Sequence, residues 1–162
     1  MAWWLAFIVV VAALDQFTKD WVLAHLMHVG TSIEVTGFFD LVLAFNPGAA
    51  FSFLAGQSGW QRWFFAALAM VVCAWLLVLI WQQRHERLAP AAFSLIVGGA
   101  IGNVIDRIVH GKVVDFLSFH AGPYSWPAFN LADSAITLGV VLMLLGQFFG
   151  KAKATPSPER PS

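Results

Sequence analysis

The sequence has few charged side chains. Asp, Glu, Lys and Arg make up 11% of its 162 residues, whereas an ordinary soluble domain has about 25%. Hydrophobic residues make up 59% of the chain, and its mean hydropathy is +0.74. This composition excludes an ordinary water-soluble domain and indicates a protein that is surrounded by lipid.

The chain also has only one cysteine and no net charge. Cys73 lies in the middle of an apolar run and has no second cysteine with which to form a disulfide, so we interpret it as a small buried hydrophobic residue. The formal net charge is zero. Without a basic excess there is no electrostatic basis for binding nucleic acid.

Several catalytic and metal-binding motifs are missing. His25 and His28 stand three positions apart, but no nearby cysteine or acidic residue completes a zinc site. Three serines lack the G-x-S-x-G context of a hydrolase nucleophile, namely Ser52, Ser118 and Ser134. No glycine-rich loop is present that could bind phosphate. We therefore expect neither a metal nor an organic cofactor.

Long apolar runs predict an all-α membrane protein with four transmembrane helices. A spanning helix needs about 20 mostly apolar residues. The predicted spans cover about residues 3–24, 61–81, 88–106 and 131–150. Charges interrupt the first span, but Asp15 and Lys19 lie four positions apart and can pair on one helical face.

The first apolar segment has an alternative interpretation as a cleaved signal peptide. It lacks a basic region before its apolar stretch, and that stretch resumes at Trp21 after its charges instead of ending at a clear cleavage site. Both features favour a permanent helix.

The distribution of Lys and Arg predicts the orientation in the membrane. The connection over residues 24–60 contains neither, whereas the loop between the second and third spans and the tail after the fourth contain several. We therefore expect cytoplasmic termini and an extracytoplasmic position for residues 24–60 and 107–130. Arg107 and Lys112 oppose this assignment, although an Arg beside an active site can have a local role. The tail over residues 151–162 is rich in proline and charge and is expected to be disordered.

The outer connections predict a small β-sheet that lies on the membrane surface. Ile33 and Val35 alternate with polar neighbours, and the apolar residues within 39–45 recur with a period of two. Gly37 provides a turn between these two stretches. A third strand could come from Val113–Phe119.

Two aspartates lie where charge is least expected. Asp115 is enclosed by Val113–Leu117, and Asp133 opens a run with no further charge until Lys151. A carboxylate near a bilayer core costs about 2.5–3.5 kcal/mol and is normally retained only for function. Two adjacent carboxyls share one proton and can activate water for peptide hydrolysis. The pattern predicts a membrane-embedded aspartyl protease whose catalytic residues are Asp115 and Asp133.

Three alternatives remain open from the residues alone. Each aspartate could merely cap a helix or pair with Arg107. The two could instead form a proton relay in a small transporter subunit, although the inverted internal symmetry of many transporters is not evident. The chain could also be a structural scaffold, in which case the aspartates would be replaceable by asparagine.

Further polar residues surround the predicted site. Asn103 and Asp106 share one face of the third helix, and Arg107 follows them. Asn130 precedes Asp133 by three positions, as an N-cap or a first-turn neighbour would. A pair of glycines has the small-xxx-small spacing that allows close helix packing, namely Gly98 and Gly102.

Five blocks of sequence resemble a known family, lipoprotein signal peptidase (signal peptidase II), from Asp15 to about residue 150. The blocks are Asp15-Gln16-x-x-Lys19, Asn46-Pro47-Gly48-Ala49-Ala50-Phe51-Ser52, Gly98-Gly99-Ala100-Ile101-Gly102-Asn103-x-x-Asp106-Arg107, Val113-Val114-Asp115-Phe116 and Phe129-Asn130-x-Ala132-Asp133. One departure is Pro47, where the family often has another residue.

The resemblance implies an enzyme of the bacterial inner membrane with its active site near the outer, periplasmic face. Its substrates would be prolipoproteins whose cysteine already bears diacylglycerol, cleaved just before that cysteine, with membrane lipid around them. The family's catalytic aspartates fall on Asp115 and Asp133. Its supporting and substrate-binding residues fall on Asn46, Asn103, Arg107 and Asn130, and a structural role falls on Asp15. We also expect structural roles for Lys19, Asp106, Gly98 and Gly102.

The predicted orientation can be tested directly. Reporter fusions or cysteine labelling should place residue 45 outside the cytoplasm and residues 85 and 155 inside, because only the latter two lie in segments rich in Lys and Arg. Finding residues 45 and 85 on the same side of the membrane would contradict the four-span arrangement.

Overall fold

Four long helices form the body of the protein. The computed structural model describes residues 1–26, 28–48 and 59–150. The helices are α1 (Ala2–His25), α2 (Trp60–Gln82), α3 (Leu88–Val109) and α4 (Leu131–Gly150). Each is long and apolar enough to cross a membrane, so the predicted four-helix membrane fold is confirmed. The expected disordered tail over residues 151–162 and positions 49–52 of the second sequence block lie outside the described residues.

One helix boundary differs from the prediction in a way that affects the site. The third span was expected to end near residue 106, but α3 continues to Val109. Arg107 therefore lies in the last turn of α3 and not in the connection that follows it. A cation in this position interacts favourably with the negative end of the helix dipole.

The predicted small sheet is also confirmed. Its four antiparallel strands are β1 (Ser32–Thr36), β2 (Phe39–Asn46), β3 (Val113–Ala121) and β4 (Tyr124–Ser125), in that spatial order. The expected contribution from residues 113–119 is the strand β3, in which Asp115 pairs with Ala44 of β2. The sheet therefore joins the connection between α1 and α2 to the connection between α3 and α4.

The sheet is attached to the helices through its middle strands. Leu43 of β2 and Val114 and Phe116 of β3 form a buried cluster with Val22 and Leu26 at the end of α1. The edge strand β1 lies outside this cluster. All five of its residues are exposed, so the alternating Ile33 and Val35 mark a strand but not a face that packs on the core.

Helix α3 is the centre of the bundle. It packs against α1, α2 and α4, and 56% of its apolar span is buried inside the protein, against 28% or less for the other three helices. Those three keep large apolar side chains on their outer faces, where lipid would cover them. Polar residues on α3 therefore face protein rather than lipid.

Glycines on α3 allow its neighbours to approach closely. A Cβ atom on Gly98 would lie 2.7 Å from Cβ of Val11 on α1, and one on Gly102 would collide with the carboxylate of Asp15. On the other side of α3, a Cβ atom on Gly99 would collide with the carbonyl oxygen of Ala132 on α4. Gly98 and Gly102 thus face α1, while Gly99 faces α4.

We predict that Gly99→Ala destabilises the protein by about 1–3 kcal/mol, because the added methyl group meets backbone atoms that cannot move independently. Thermal unfolding in detergent would measure this as a lower midpoint. Gly37→Ala is the matched control, since no atom lies within 4 Å of its added Cβ. Equal unfolding midpoints for the two variants would contradict the close packing of α3 on α4.

Candidate active site

The two predicted catalytic aspartates, called here the aspartate pair, are Asp115 on β3 and Asp133 in the first turn of α4. The chain returns from β4 alongside β3, where the N–H groups of Phe116 and Leu117 donate to the carbonyl oxygen of Phe129 at 2.9 and 2.8 Å. This pairing brings the start of α4 next to Asp115. The turn residues between the aspartates thus fold the chain back as expected.

Asn130 contacts both members of the pair. Its Oδ1 accepts a hydrogen bond from the backbone N–H of Asp133 at 2.9 Å, which is the geometry of an N-cap on α4. Its Nδ2 donates to Oδ1 of Asp115 at 2.7 Å and to the carbonyl oxygen of Val114 at 3.2 Å. Asn130 is fully buried. One side chain therefore caps the helix that carries Asp133 and holds the carboxylate of Asp115.

Asn103 provides the matching contact to the other aspartate. Its Nδ2 donates to Oδ1 of Asp133 at 2.8 Å, and its Oδ1 accepts from Nδ2 of Asn130 at 3.3 Å. Asp133 is partly exposed, whereas Asp115 is only 3% exposed. Each aspartate thus receives an amide N–H, and the two amides contact each other.

The surroundings of Asp115 favour its protonated form. Burial, followed by the negative charge of Asp133, raises the pKa of Asp115 from 3.8 to about 6, although hydrogen bonds from Asn46 and Asn130 act in the opposite direction. The charge of Asp133 thus disfavours ionisation of Asp115. Asn46 is itself oriented by the backbone N–H of Gly48, which donates to its Oδ1 at 2.9 Å.

Arg107 lies beside the pair without forming a direct ion pair with it. Its Nη1 donates to the carbonyl oxygen of Asn103 at 3.1 Å, and its guanidinium carbon lies 5.7 Å from the centre of the Phe65 ring. The salt bridges among the described residues include none between Arg107 and either aspartate. The alternative in which the aspartates merely pair with Arg107 is therefore not supported.

A second cluster of charges lies behind the pair. The expected ion pair of Asp15 and Lys19 is present at 2.7 Å, but Lys19 also binds Asp106 of α3 at 2.9 Å. Gln16 donates to Oδ1 of Asp106 at 2.9 Å and to the carbonyl oxygen of Gly102 at 3.2 Å. The bridge to Asp106 and the contacts of Gln16 were not predicted, because spacing along α1 gives no information about its contacts with α3.

Asp133 also opens onto an apolar groove of about 600 Å³. The remaining lining residues are Trp126, Phe129, Ser134, Thr137, Leu138 and Val141. Asp133, Thr137 and Val141 follow at intervals of four along one face of α4, so the groove extends from the carboxylate along the helix. A substrate segment in this groove would have apolar contacts on one side of the reacting bond.

Side chains for which the sequence predicted no catalytic, metal-binding or disulfide role make other local contacts. His25 stacks on Trp21 with the ring centroids 4.3 Å apart, and its Nδ1 lies 2.7 Å from the carbonyl oxygen of Trp21. The hydroxyl of Ser134 donates to the carbonyl oxygen of Asn130 at 2.9 Å, and Cys73 is buried. Within residues 1–26, 28–48 and 59–150, no group of three or more His, Cys, Asp or Glu is placed to hold a metal ion.

Sequence comparisons identify relatives over almost the whole chain. The family model described as signal peptidase (SPase) II matches residues 7–149. The lipoprotein signal peptidase of Azoarcus sp. (strain BH72) is 68% identical over 160 residues, covering 98% of this chain and 90% of that protein. The lipoprotein signal peptidase of Cupriavidus taiwanensis is 54% identical over 144 residues, covering 89% of this chain and 81% of that protein.

Two solved structures have a similar fold. Both are described as bacterial membrane enzymes determined by the in meso method, one at 2.3 Å and the other at 1.9 Å resolution. The first superposes with a TM-score of 0.83 at 30% identity and covers 99% of this chain and 96% of its own. The second superposes with a TM-score of 0.80 at 31% identity and covers 96% of each chain.

We predict that Asp115→Asn stabilises the protein in a pH-dependent way. The raised pKa means that the folded state binds the Asp115 proton more tightly than the unfolded state, so the wild type loses stability as the pH rises from about 4 to about 6. Asparagine does not titrate. The variant should therefore gain up to about 3 kcal/mol over the wild type above pH 6 and little near pH 4.

Thermal unfolding in detergent at pH 4.5 and pH 8 would measure this difference. Asp20→Asn, at an exposed position of α1, is the control and should show no comparable gain at pH 8. If Asp115→Asn raised the stability equally at both pH values, titration of the Asp115 carboxyl group would not be the source of the gain.

Proposed function

This chain belongs to the signal peptidase II family, and we propose that Asp115 and Asp133 are its catalytic pair. The protein is an aspartyl endopeptidase of the membrane that removes the signal peptide from diacylglyceryl-modified bacterial prolipoproteins and cleaves before the lipidated cysteine. The relay and scaffold alternatives are set aside because membership of this family identifies a peptidase. The main observation that supports this assignment is the contact between the Asn103 and Asn130 amides, each of which donates a hydrogen bond to one of the two carboxylates.

The different surroundings of the two aspartates suggest different roles at the start of the reaction. Asp115 is buried and has a pKa of about 6, which suits it to hold the shared proton and to donate a hydrogen bond to the scissile carbonyl. Asp133 lies at the surface of the groove, which suits its carboxylate to take a proton from the attacking water. The roles then exchange as the tetrahedral intermediate collapses.

The neighbouring polar residues support this chemistry. Asn46, Asn103 and Asn130 donate to the two carboxylates or orient their neighbours, so the pair is held before substrate arrives. Arg107 has a buried Nε with no hydrogen-bond partner among the described residues. Its charge can stabilise the oxyanion or orient the substrate carbonyl. No step requires a metal ion or an organic cofactor.

The position of the site agrees with a substrate that arrives through the membrane. The aspartate pair lies where the C-terminal end of α3, the N-terminal end of α4 and the sheet meet. With the orientation expected from the positive-inside rule, this end faces the periplasm and both termini face the cytoplasm. The signal peptide would enter from the inner-membrane bilayer, and the acyl chains of the substrate would stay among the membrane lipids.

The aspartate pair predicts a non-additive pattern of mutant activities. Asp115→Asn and Asp133→Asn should each reduce cleavage by about 1,000-fold or more, because each removes a group that must exchange the catalytic proton. The double variant should lose little beyond either single variant. A gel-shift assay with the purified protein and a prolipoprotein whose cysteine bears diacylglycerol would measure the three rates.

Asp40→Asn is the matched control for this series. Asp40 lies on β2 near Ser32 and His120, outside the pair, so its replacement should leave the cleavage rate close to that of the wild type. The shared-proton mechanism would be wrong if either Asp115→Asn or Asp133→Asn retained nearly full activity while remaining folded.

A further inference from the structure

The ammonium group of Lys19 is the centre of a buried network. It lies 2.7 Å from Oδ2 of Asp15, 2.9 Å from Oδ2 of Asp106 and 3.1 Å from Oδ1 of Asn103. An ammonium group has three N–H donors, so each of these oxygens can receive one. Lys19 is only 1% exposed. Its position is therefore set by α1 and α3 together and not by solvent.

The two carboxylates that bind Lys19 also hold the backbone next to the aspartate pair. The N–H of Ala132, the residue before Asp133, donates to Oδ1 of Asp15 at 2.8 Å. The N–H of Val114, the residue before Asp115, donates to Oδ2 of Asp106 at 2.9 Å. Lys19 thus connects, through one carboxylate on each side, the two backbone segments that carry the pair. This bridge adds to the links that Phe129 and Asn130 form between the same two segments.

Lys19 also determines which end of the Asn103 amide faces Asp133. An ammonium group can only donate, so the amide atom that faces Lys19 must be the oxygen. The NH₂ group of Asn103 then points to the carboxylate of Asp133, to which it donates at 2.8 Å. The ammonium group and the Asp133 carboxylate select the same orientation, because a half-turn of the amide would place its NH₂ group against Lys19 and its oxygen against Asp133.

We propose that Lys19 is a positioning residue for catalysis: it sets the spacing of the aspartate pair through Asp15 and Asp106, and it fixes the donor that Asn103 presents to Asp133. This role rests on the proposed function, because it assigns Lys19 to the reaction of that site. It goes beyond an ion pair that merely makes a charged residue tolerable in a membrane helix.

The charge of Lys19 gives this role a measurable signature. The charged groups around the pair are Asp15 and Lys19 from α1, Asp106 and Arg107 from α3, Asp115 from β3 and Asp133 from α4. Burial and the charge of Asp133 raise the pKa of Asp115, and the charge of Lys19 lowers it. Asp115 must hold its proton at the start of the reaction, so loss of the ammonium group should move the alkaline limb of the pH–kcat profile to higher pH.

Three variants test the role. In Lys19→Met, the cleavage rate per folded molecule should fall by about tenfold or more, and the alkaline limb should move up by about half a pH unit or more. Lys19→Arg keeps a cation that can only donate, so it should restore the position of the alkaline limb even if kcat is lower. Asp15→Asn/Lys19→Met removes one charge of each sign, so the net charge of the cluster stays as in the wild type, and Asp106 keeps its hydrogen bonds from Gln16 and the N–H of Val114.

The readouts separate this role from a structural one and from the proposed function. A structural role would lower the folded fraction but leave kcat per folded molecule and the alkaline limb unchanged. Arg84→Gln removes a cation that packs on Trp81, far from the pair, and should behave as the wild type. The wild type provides the reference: if it does not cleave the lipidated prolipoprotein, the proposed function itself fails.

The positioning role would be overturned if the folded double variant kept the wild-type kcat and alkaline limb. It would also be overturned if Lys19→Arg moved the alkaline limb as far as Lys19→Met does. Failure of the double variant to fold would show that the cluster is needed for folding and would count against a catalytic role.

Discussion

Charged side chains within a membrane-spanning bundle must find partners inside the protein, because lipid offers neither hydrogen bonds nor counterions. Here that constraint is met by a single ammonium group. Lys19 binds Asp15 from its own helix and Asp106 from α3, and both carboxylates also accept backbone or side-chain N–H groups. The cluster therefore ties α1 and α3 to the start of α4 and to β3.

This arrangement places strict demands on helix packing. For the carboxylate of Asp15 to reach the backbone of α4, α1 must lie directly against α3, and Gly102 leaves the space that the carboxylate occupies. Gly99 does the same for the carbonyl oxygen of Ala132. Small residues on α3 thus serve a polar network as well as close apolar packing, and α3 becomes the most buried helix of the bundle.

The site also shows how two identical side chains acquire different properties. Asp115 comes from a strand covered by the helices, whereas Asp133 comes from a helix end that borders an open groove. The amides of Asn103 and Asn130 connect them, with each oxygen directed to a fixed donor and each NH₂ group directed to a carboxylate. In such an arrangement the buried carboxyl group can retain a proton while the partly exposed one accepts a proton.

The sequence by itself determined the four helices and three of the four strands, and it led to the proposal of Asp115 and Asp133, because run length, alternation and a charge in an apolar segment are local properties. It did not predict the short β4. It also predicted the pair of Asp15 and Lys19, which lie one helical turn apart. Only the tertiary structure decided that Asp106 joins that pair, that α3 continues past Arg107 to Val109, and that β1 is exposed and does not pack on the core. These depend on contacts between elements distant in the chain, which spacing along one element does not encode.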